Sequence, residues 1–150
     1  MEACSCQNTI PELYTLSFRI AAKAHLGQVD KGGRPYLLHP LAVARQVLQP
    51  ESKILALLHD VPEDTDVTLD QLAPILPPRL LHALDLLTRR PGEPYQEYIE
   101  RLAGDPLAVQ VKLADLTHNM DLSRIPHPTD KDLRRLEKYK KAYAYLKERI

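Results

Sequence analysis

Apolar residues recur every three or four positions along most of the chain, which is the spacing of one buried face of an α-helix. In the first such segment, about residues 11–26, this face carries Leu13, Leu16, Ile20 and Ala24. The apolar–polar alternation of strands is scarce, and 13 prolines against 5 glycines divide the chain into short segments. The pattern predicts an all-α fold: one domain over residues 1–150, a bundle of about seven or eight helices with a loose tail at 1–8.

Turn and capping residues give approximate boundaries for the later helices. The stretch "GQVDKGGRPY" interrupts the first helix, and Pro40 suits the first turn of the second, in "HPLAVARQVL". A third helix is predicted from about Glu51. The remaining predicted helices are "TLDQLAPIL" capped by Thr68, "PPRLLHALDLLTRR", "PYQEYIERLA", "DPLAVQVKLADLTHNMDLSRI" capped by Asp105, and "DKDLRRLEKYKKAYAYLKERI".

Charge and hydropathy narrow the class of protein. The 20 Lys and Arg residues balance the 20 Asp and Glu residues, so the chain lacks the basic footprint of a nucleic-acid binder. No apolar run approaches the roughly 18 residues that span a bilayer, and the N-terminus does not resemble a secretory signal. We expect a cytoplasmic protein that binds a small-molecule partner and binds neither nucleic acid nor membranes. The sequence pattern does not indicate the oligomeric state. Cys4 and Cys6 are too few for a metal site, and we expect free thiols.

Ionisable residues cluster at the end of the most apolar run, "ILALLHDVPEDT" at residues 54–65. His59 and Asp60 close that run, His39 opens the preceding helix, and Asp115 lies within the apolar stretch "VQVKLADLTHN". A buried carboxylate is costly unless it is paired or bound to a cation. Two imidazoles and two carboxylates on three helices suit Mn²⁺, Fe²⁺ or Zn²⁺ better than Ca²⁺. These four ligands would leave positions for water and substrate, as in a hydrolytic metal site.

Glu63 and Asp64 follow His59 and Asp60 at four-residue spacing, so one helical turn would place their carboxylates beside the metal. Pro62 is expected to kink the helix there. An acidic pair beside a metal site could position and deprotonate a water. The alternative interpretation is structural, a helix C-terminus or the N-cap of the next segment.

Three segments resemble a known family in order and spacing: "AHLGQVDKGGRPYLLHPLAVA", "ALLHDVPEDTDVTLDQL" and "VKLADLTHN". They are similar to the HD-domain hydrolases that degrade the alarmone (p)ppGpp, namely the hydrolase half of the RelA/SpoT enzymes and the stand-alone small alarmone hydrolases. The resemblance covers roughly residues 9–125 and, more loosely, the terminal helix. It implies an HD-domain bundle that binds Mn²⁺ and hydrolyses a 3′-pyrophosphate through a metal-activated water, in the stringent response.

The resemblance also assigns site residues. The metal ligands fall on His39, His59, Asp60 and Asp115, the catalytic acidic pair on Glu63 and Asp64, and substrate contacts on Lys31, Arg89, Asn119, Arg135 and Tyr139. For His25 the resemblance implies no ligand role, and we expect a hydrogen-bonded packing role. His118 is expected either beside the site or on the helix surface.

The chain departs from the family in its charges. Leu116 and Thr117 follow the motif aspartate where alarmone hydrolases commonly carry a basic residue, and Asp30 replaces a basic residue of the long enzymes. These changes leave two alternatives open: an HD phosphohydrolase of another phosphorylated nucleotide, such as an adenine alarmone or NADPH, and a nucleotide sensor without turnover. The length of the chain also leads us to expect a hydrolase without a synthetase domain.

Overall fold

The computed structural model describes residues 8–150, so Cys4 and Cys6 lie outside the described residues. Within this range the chain forms α-helices, one 3₁₀ turn at Leu122–Arg124 and a single isolated bridge between Val29 and Pro35, which confirms the all-α prediction. The helices are α1 Ile10–Ala24, α2 Leu38–Gln46, α3 Pro50–Leu58, α4 Val61–Asp64, α5 Leu69–Leu72, α6 Pro78–Leu87, α7 Tyr95–Leu102, α8 Pro106–Asn119 and α9 Asp130–Lys147.

Side-chain caps begin several of these helices where the sequence predicts them. Thr68 accepts from the backbone of Gln71 at the start of α5, and Asp105 accepts from two backbone N–H groups at the start of α8, directly before Pro106. The predicted helix from Asp105 to Ile125 is too long, because α8 ends at Asn119. After that end, Asp121 caps the short 3₁₀ turn instead.

The helix that carries the ionisable cluster breaks where only a kink was expected. α3 ends at Leu58, and a separate single turn, α4, begins at Val61. Pro62 lies in the first turn of α4, where its missing N–H leaves no hydrogen bond unmade. The break adds one helix to the expected number and leaves His59 and Asp60 in the connection between two helices.

α3 is the central helix of the bundle, because it packs against α1, α2, α6 and α8. Every residue from Ile54 to Leu58 is buried, as the unbroken apolar run predicts. The apolar faces of α6 and α8 complete the core. None of the described helices is both long and apolar enough to cross a bilayer. The same packing that builds the core therefore brings the ends of α2 and α3 against the middle of α8.

Candidate metal centre and cleft

Four side chains converge where α2, the end of α3 and α8 meet. Nε2 of His39 lies 2.8 Å from Oδ1 of Asp115 and 3.5 Å from Oδ2 of Asp60. Nε2 of His59 lies 3.2 Å from the same Asp60 oxygen and 3.4 Å from the same Asp115 oxygen. His39, His59 and Asp115 are each 3% exposed. The chain thus brings the four predicted ligand residues into one cluster, hereafter the His/Asp cluster, in which only Asp60 is partly exposed.

The tautomer of His59 is set by its neighbour in α3. Its Nδ1 lies 2.6 Å from the carbonyl oxygen of Ala56, and because a carbonyl only accepts, Nδ1 carries the proton. In the neutral ring, Nε2 is then an acceptor. That buried nitrogen has no hydrogen-bond partner among residues 8–150, although two carboxylate oxygens lie close to it. A lone pair next to two carboxylates fits a divalent transition metal.

His39 is oriented by a histidine that the sequence left undecided. Its Nδ1 lies 2.7 Å from Nδ1 of His118, and the two rings stack with centroids 5.0 Å apart. Burial and the charge of Arg124 lower the pKa of His118 to about 4, so His118 is neutral near pH 7. A neutral His118 can accept from His39 Nδ1, which leaves His39 Nε2 available as a ligand atom. His118 therefore lies beside the cluster and not on the outer surface.

Both carboxylates of the cluster have further donors. Oδ2 of Asp115 accepts from Nζ of Lys112 at 2.8 Å, and Oδ1 accepts from Nδ2 of Asn119 at 2.9 Å. The hydroxyl of Tyr36 donates to Oδ2 of Asp60 at 2.6 Å. Sequence reasoning missed Lys112 and Tyr36; the only signal was the three-residue spacing of Lys112 and Asp115 on one helix.

The acidic pair lies on α4, next to the cluster. Partial burial and the negative charge of Asp60 raise the pKa of Glu63 to about 7, and the same two causes raise the pKa of Asp64. Both residues are nevertheless exposed to solvent. A carboxyl group that titrates near neutral pH can exchange a proton with water at that pH.

A cleft of about 290 Å³ opens beside His39. Four of the five predicted substrate contacts line it: Lys31, Asn119, Arg135 and Tyr139. The fifth, Arg89, lies elsewhere, in a shallow depression that it shares with Glu63. The predicted contacts are therefore divided between two concave surfaces.

The basic groups of the cleft are already paired with carboxylates. Lys31 and Arg135 lie 2.6 Å and 3.5 Å from the same oxygen of Asp132, and Arg124 lies 3.7 Å from Asp30. Asp30 thus neutralises a cleft cation. Leu116, which follows Asp115 in α8, is fully buried. As expected, His25 is a buried packing residue, with Nδ1 2.8 Å from Oε1 of Gln28.

An all-helical bundle with two histidines and two aspartates at its centre defines an HD-type domain. No family model matches the chain. It is 31% identical over 147 residues to a probable GTP pyrophosphokinase of Mycobacterium leprae, covering 89% of this chain and 19% of that protein. It is 37% identical over 116 residues to a guanosine-3′,5′-bis(diphosphate) 3′-pyrophosphohydrolase of Haemophilus influenzae, covering 67% of this chain and 17% of that protein.

The bifunctional (p)ppGpp synthase/hydrolase SpoT of Escherichia coli is 34% identical over 119 residues, which are 69% of this chain and 17% of that protein. The chain therefore spans about a fifth of the length of these relatives. A solved structure of a metazoan SpoT ortholog, described as hydrolysing ppGpp and acting in starvation responses, superimposes with a TM-score of 0.75 and 24% identity. That match covers 89% of this chain and 84% of the other, and it shows the fold. The chain belongs to the HD-domain family of the RelA/SpoT proteins.

Proposed function

We propose that this chain is a metal-dependent nucleotide 3′-pyrophosphohydrolase that acts on (p)ppGpp or a close relative. One observation carries the proposal: the ligand atoms of buried His39, His59 and Asp115 lie within 4.8 Å of one another, and Oδ2 of Asp60 lies 3.2 Å from Nε2 of His59. Two of the relatives described above, the guanosine-3′,5′-bis(diphosphate) 3′-pyrophosphohydrolase of Haemophilus influenzae and the bifunctional (p)ppGpp synthase/hydrolase SpoT of Escherichia coli, support the reaction and the nucleotide class.

In this proposal His39, His59, Asp60 and Asp115 hold one Mn²⁺ ion. When bound, a divalent metal supplies Lewis acidity toward a phosphoryl group and lowers the pKa of a water. The chain orients this ligand set through its own hydrogen bonds, because Ala56 and His118 set the two imidazoles and Tyr36 and Lys112 hold the two carboxylates. Such supporting hydrogen bonds keep ligands in place and tune their basicity.

In this proposal the acidic pair, Glu63 and Asp64, positions the attacking water and accepts its proton. Glu63, with a pKa of about 7, is the group best matched to accept a proton from the attacking water near neutral pH, and Asp64 positions that water with it. Asn119 and Tyr139 contact the nucleoside in the cleft, where Lys31 and Arg135 meet its phosphates. Arg89, in the depression beside Glu63, contacts phosphate there. The water breaks the bond between the 3′ oxygen and its diphosphate, so ppGpp gives pyrophosphate and guanosine 5′-diphosphate, and pppGpp gives pyrophosphate and guanosine 5′-triphosphate.

The test replaces one proposed ligand and one matched surface residue. Asp60→Ala should abolish Mn²⁺-dependent release of pyrophosphate from ppGpp while the far-ultraviolet circular dichroism remains that of a helical protein. Asp66→Ala, an exposed aspartate six residues further on, should keep the activity. If Asp60→Ala hydrolysed ppGpp as fast as the unchanged chain, the proposed metal centre would be wrong.

A second substrate is favoured by the paired charges of the cleft. Because Lys31, Arg124 and Arg135 already face Asp30 and Asp132, the cleft offers little net charge to a highly anionic nucleotide. Such a cleft suits a nucleotide that carries less charge or a differently placed phosphate, such as an adenine alarmone or NADPH. Comparing kcat/KM for ppGpp, its adenine analogue and NADPH separates these substrates. Binding without product in the presence of Mn²⁺ would instead indicate a sensor.

A further inference from the structure

Tyr95, the first residue of α7, has a hydroxyl group that the fold leaves unused. The hydroxyl oxygen is buried and has no hydrogen-bond partner among the described residues. Buried hydroxyls are normally paired, so an unpaired one indicates a place for a further group. Burial raises the pKa of Tyr95 to about 12, which keeps the hydroxyl protonated and able to donate.

Three cations surround this tyrosine from three different elements. Lys138 of α9 lies 4.4 Å from the centre of its ring, Arg89 of the α6–α7 connection 5.4 Å, and Lys112 of α8 5.9 Å. Lys112 is paired with Asp115. Within residues 8–150, neither Lys138 nor Arg89 forms a side-chain ion pair, and the guanidinium of Arg89 donates to the backbone carbonyl of Glu93.

These cations repel one another. Partial burial, followed by the charges of Arg89 and Arg135, lowers the pKa of Lys138. A cation–π contact with the Tyr95 ring offsets only part of the electrostatic repulsion between these cations. The cations of the cleft behave differently, since each lies beside Asp30 or Asp132. Around Tyr95, by contrast, Lys112 alone has a carboxylate partner in an ion pair among residues 8–150, and Arg89 and Lys138 are available to an added anion.

The position of Tyr95 connects it to the His/Asp cluster. Lys112 contacts both the Tyr95 ring and Asp115, and the Tyr95 ring lies 6.2 Å from that of Tyr139, which lines the cleft. On the other side, Arg89 shares its depression with Glu63 of the acidic pair. Tyr95 thus lies among residues that border both the cleft and the acidic pair.

We propose that Tyr95, Arg89 and Lys138 form an anion subsite that binds a second phosphate group of the nucleotide, the distal phosphate of the diphosphate held at the His/Asp cluster. The Tyr95 hydroxyl donates to a phosphate oxygen, and Arg89 and Lys138 add charge-assisted hydrogen bonds. This subsite deepens the proposed function and rests on it for the identity of the ligand. It also explains how a cleft with paired charges can serve an anionic substrate.

The probe is inorganic pyrophosphate, titrated by calorimetry into the full chain, once with Mn²⁺ and once with chelator. Tyr95→Phe removes only the hydroxyl, and we expect it to weaken pyrophosphate binding roughly tenfold, the usual effect of losing a hydrogen bond to a charged group. Lys138→Gln should weaken binding by a similar factor and reduce its salt dependence. Lys141→Gln, an exposed lysine on the same helix, is the matched control and should bind as the unchanged chain does.

Thermal unfolding separates a binding role from a packing role. Without ligand, Tyr95→Phe should unfold at the same or a higher temperature, because the variant no longer buries an unpaired hydroxyl. The proposal is overturned if Tyr95→Phe and Lys138→Gln bind pyrophosphate as tightly as the unchanged chain. It is equally overturned if Lys141→Gln loses as much affinity, or if the chelated chain binds no pyrophosphate. Because binding to the chelated chain needs no turnover, a failure of the proposed hydrolysis would appear separately, as absent product with an intact subsite.

Discussion

Lys112 offers a quantitative test of how the His/Asp cluster is held together. Its ammonium group lies 2.8 Å from Asp115, and the two side chains are 11% and 5% exposed. Removing one partner of a buried ion pair costs about 3–5 kcal/mol, because the other charge stays buried. Asp115 keeps its contacts with Asn119 and His39, so we expect Lys112→Met to cost about 3 kcal/mol. For a chain of this size, that corresponds to a fall in Tm of about 6–12 °C.

The assay is urea unfolding of the chelated protein, followed by circular dichroism. Lys140→Met is the matched control, because the pair that Lys140 forms with Glu137 is exposed, and it should change stability by less than about 0.5 kcal/mol. In an Asp115→Asn background, Lys112→Met should cost far less, since no buried charge is left alone. A Lys112→Met variant within about 0.5 kcal/mol of the unchanged chain would refute the reasoning.

Three further predictions follow from the same geometry. The folded-state pKa of Glu63, about 7, lies above its ordinary value of 4.5, so the contribution of Glu63 to stability declines as pH rises from 4.5 to 8. Without metal, the Tm of Glu63→Gln minus the Tm of the unchanged chain should therefore increase over this pH range, and a constant difference would contradict the prediction. Tyr36→Phe removes a donor to Asp60 and should weaken Mn²⁺ binding, measured by calorimetry, about 10–100-fold; unaltered affinity would show that the bond does not support the site. Leu116→Arg would bury an unpaired charge at a fully buried position, so its Tm should fall sharply, and a variant as stable as the unchanged chain would be evidence against the packing described.

Local sequence signals predicted most of the helices. Helical periodicity, proline positions and the caps Thr68 and Asp105 depend on residues a few positions apart, and all of them are visible in the chain itself. The break after Leu58 was expected only as a kink, because a proline predicts a disturbance but not whether the packed helix continues past it. The end of α8 at Asn119 was missed for a related reason, since residues 120–125 carry no glycine or proline stop signal.

The candidate site could be predicted in its residue types but not in its supporting contacts. His39, His59, Asp60 and Asp115 stand out because ionisable residues are rare within apolar runs. The contact between Tyr36 and Asp60 spans 24 positions and that between His39 and His118 spans 79, so both depend on how helices pack. For the same reason, sequence could not separate Arg89 from the cleft or reveal that the cleft cations are paired.

Mn²⁺ add-back to the chelated chain, with pyrophosphate release from ppGpp as the readout, tests the central claim most directly. The account predicts no release with chelator and activity that rises with added Mn²⁺ until one ion is bound per chain. The Asp60→Ala variant should release no pyrophosphate at any Mn²⁺ concentration in the same titration. Release that is undiminished by chelator, or no release from ppGpp at any Mn²⁺ concentration, would contradict the account.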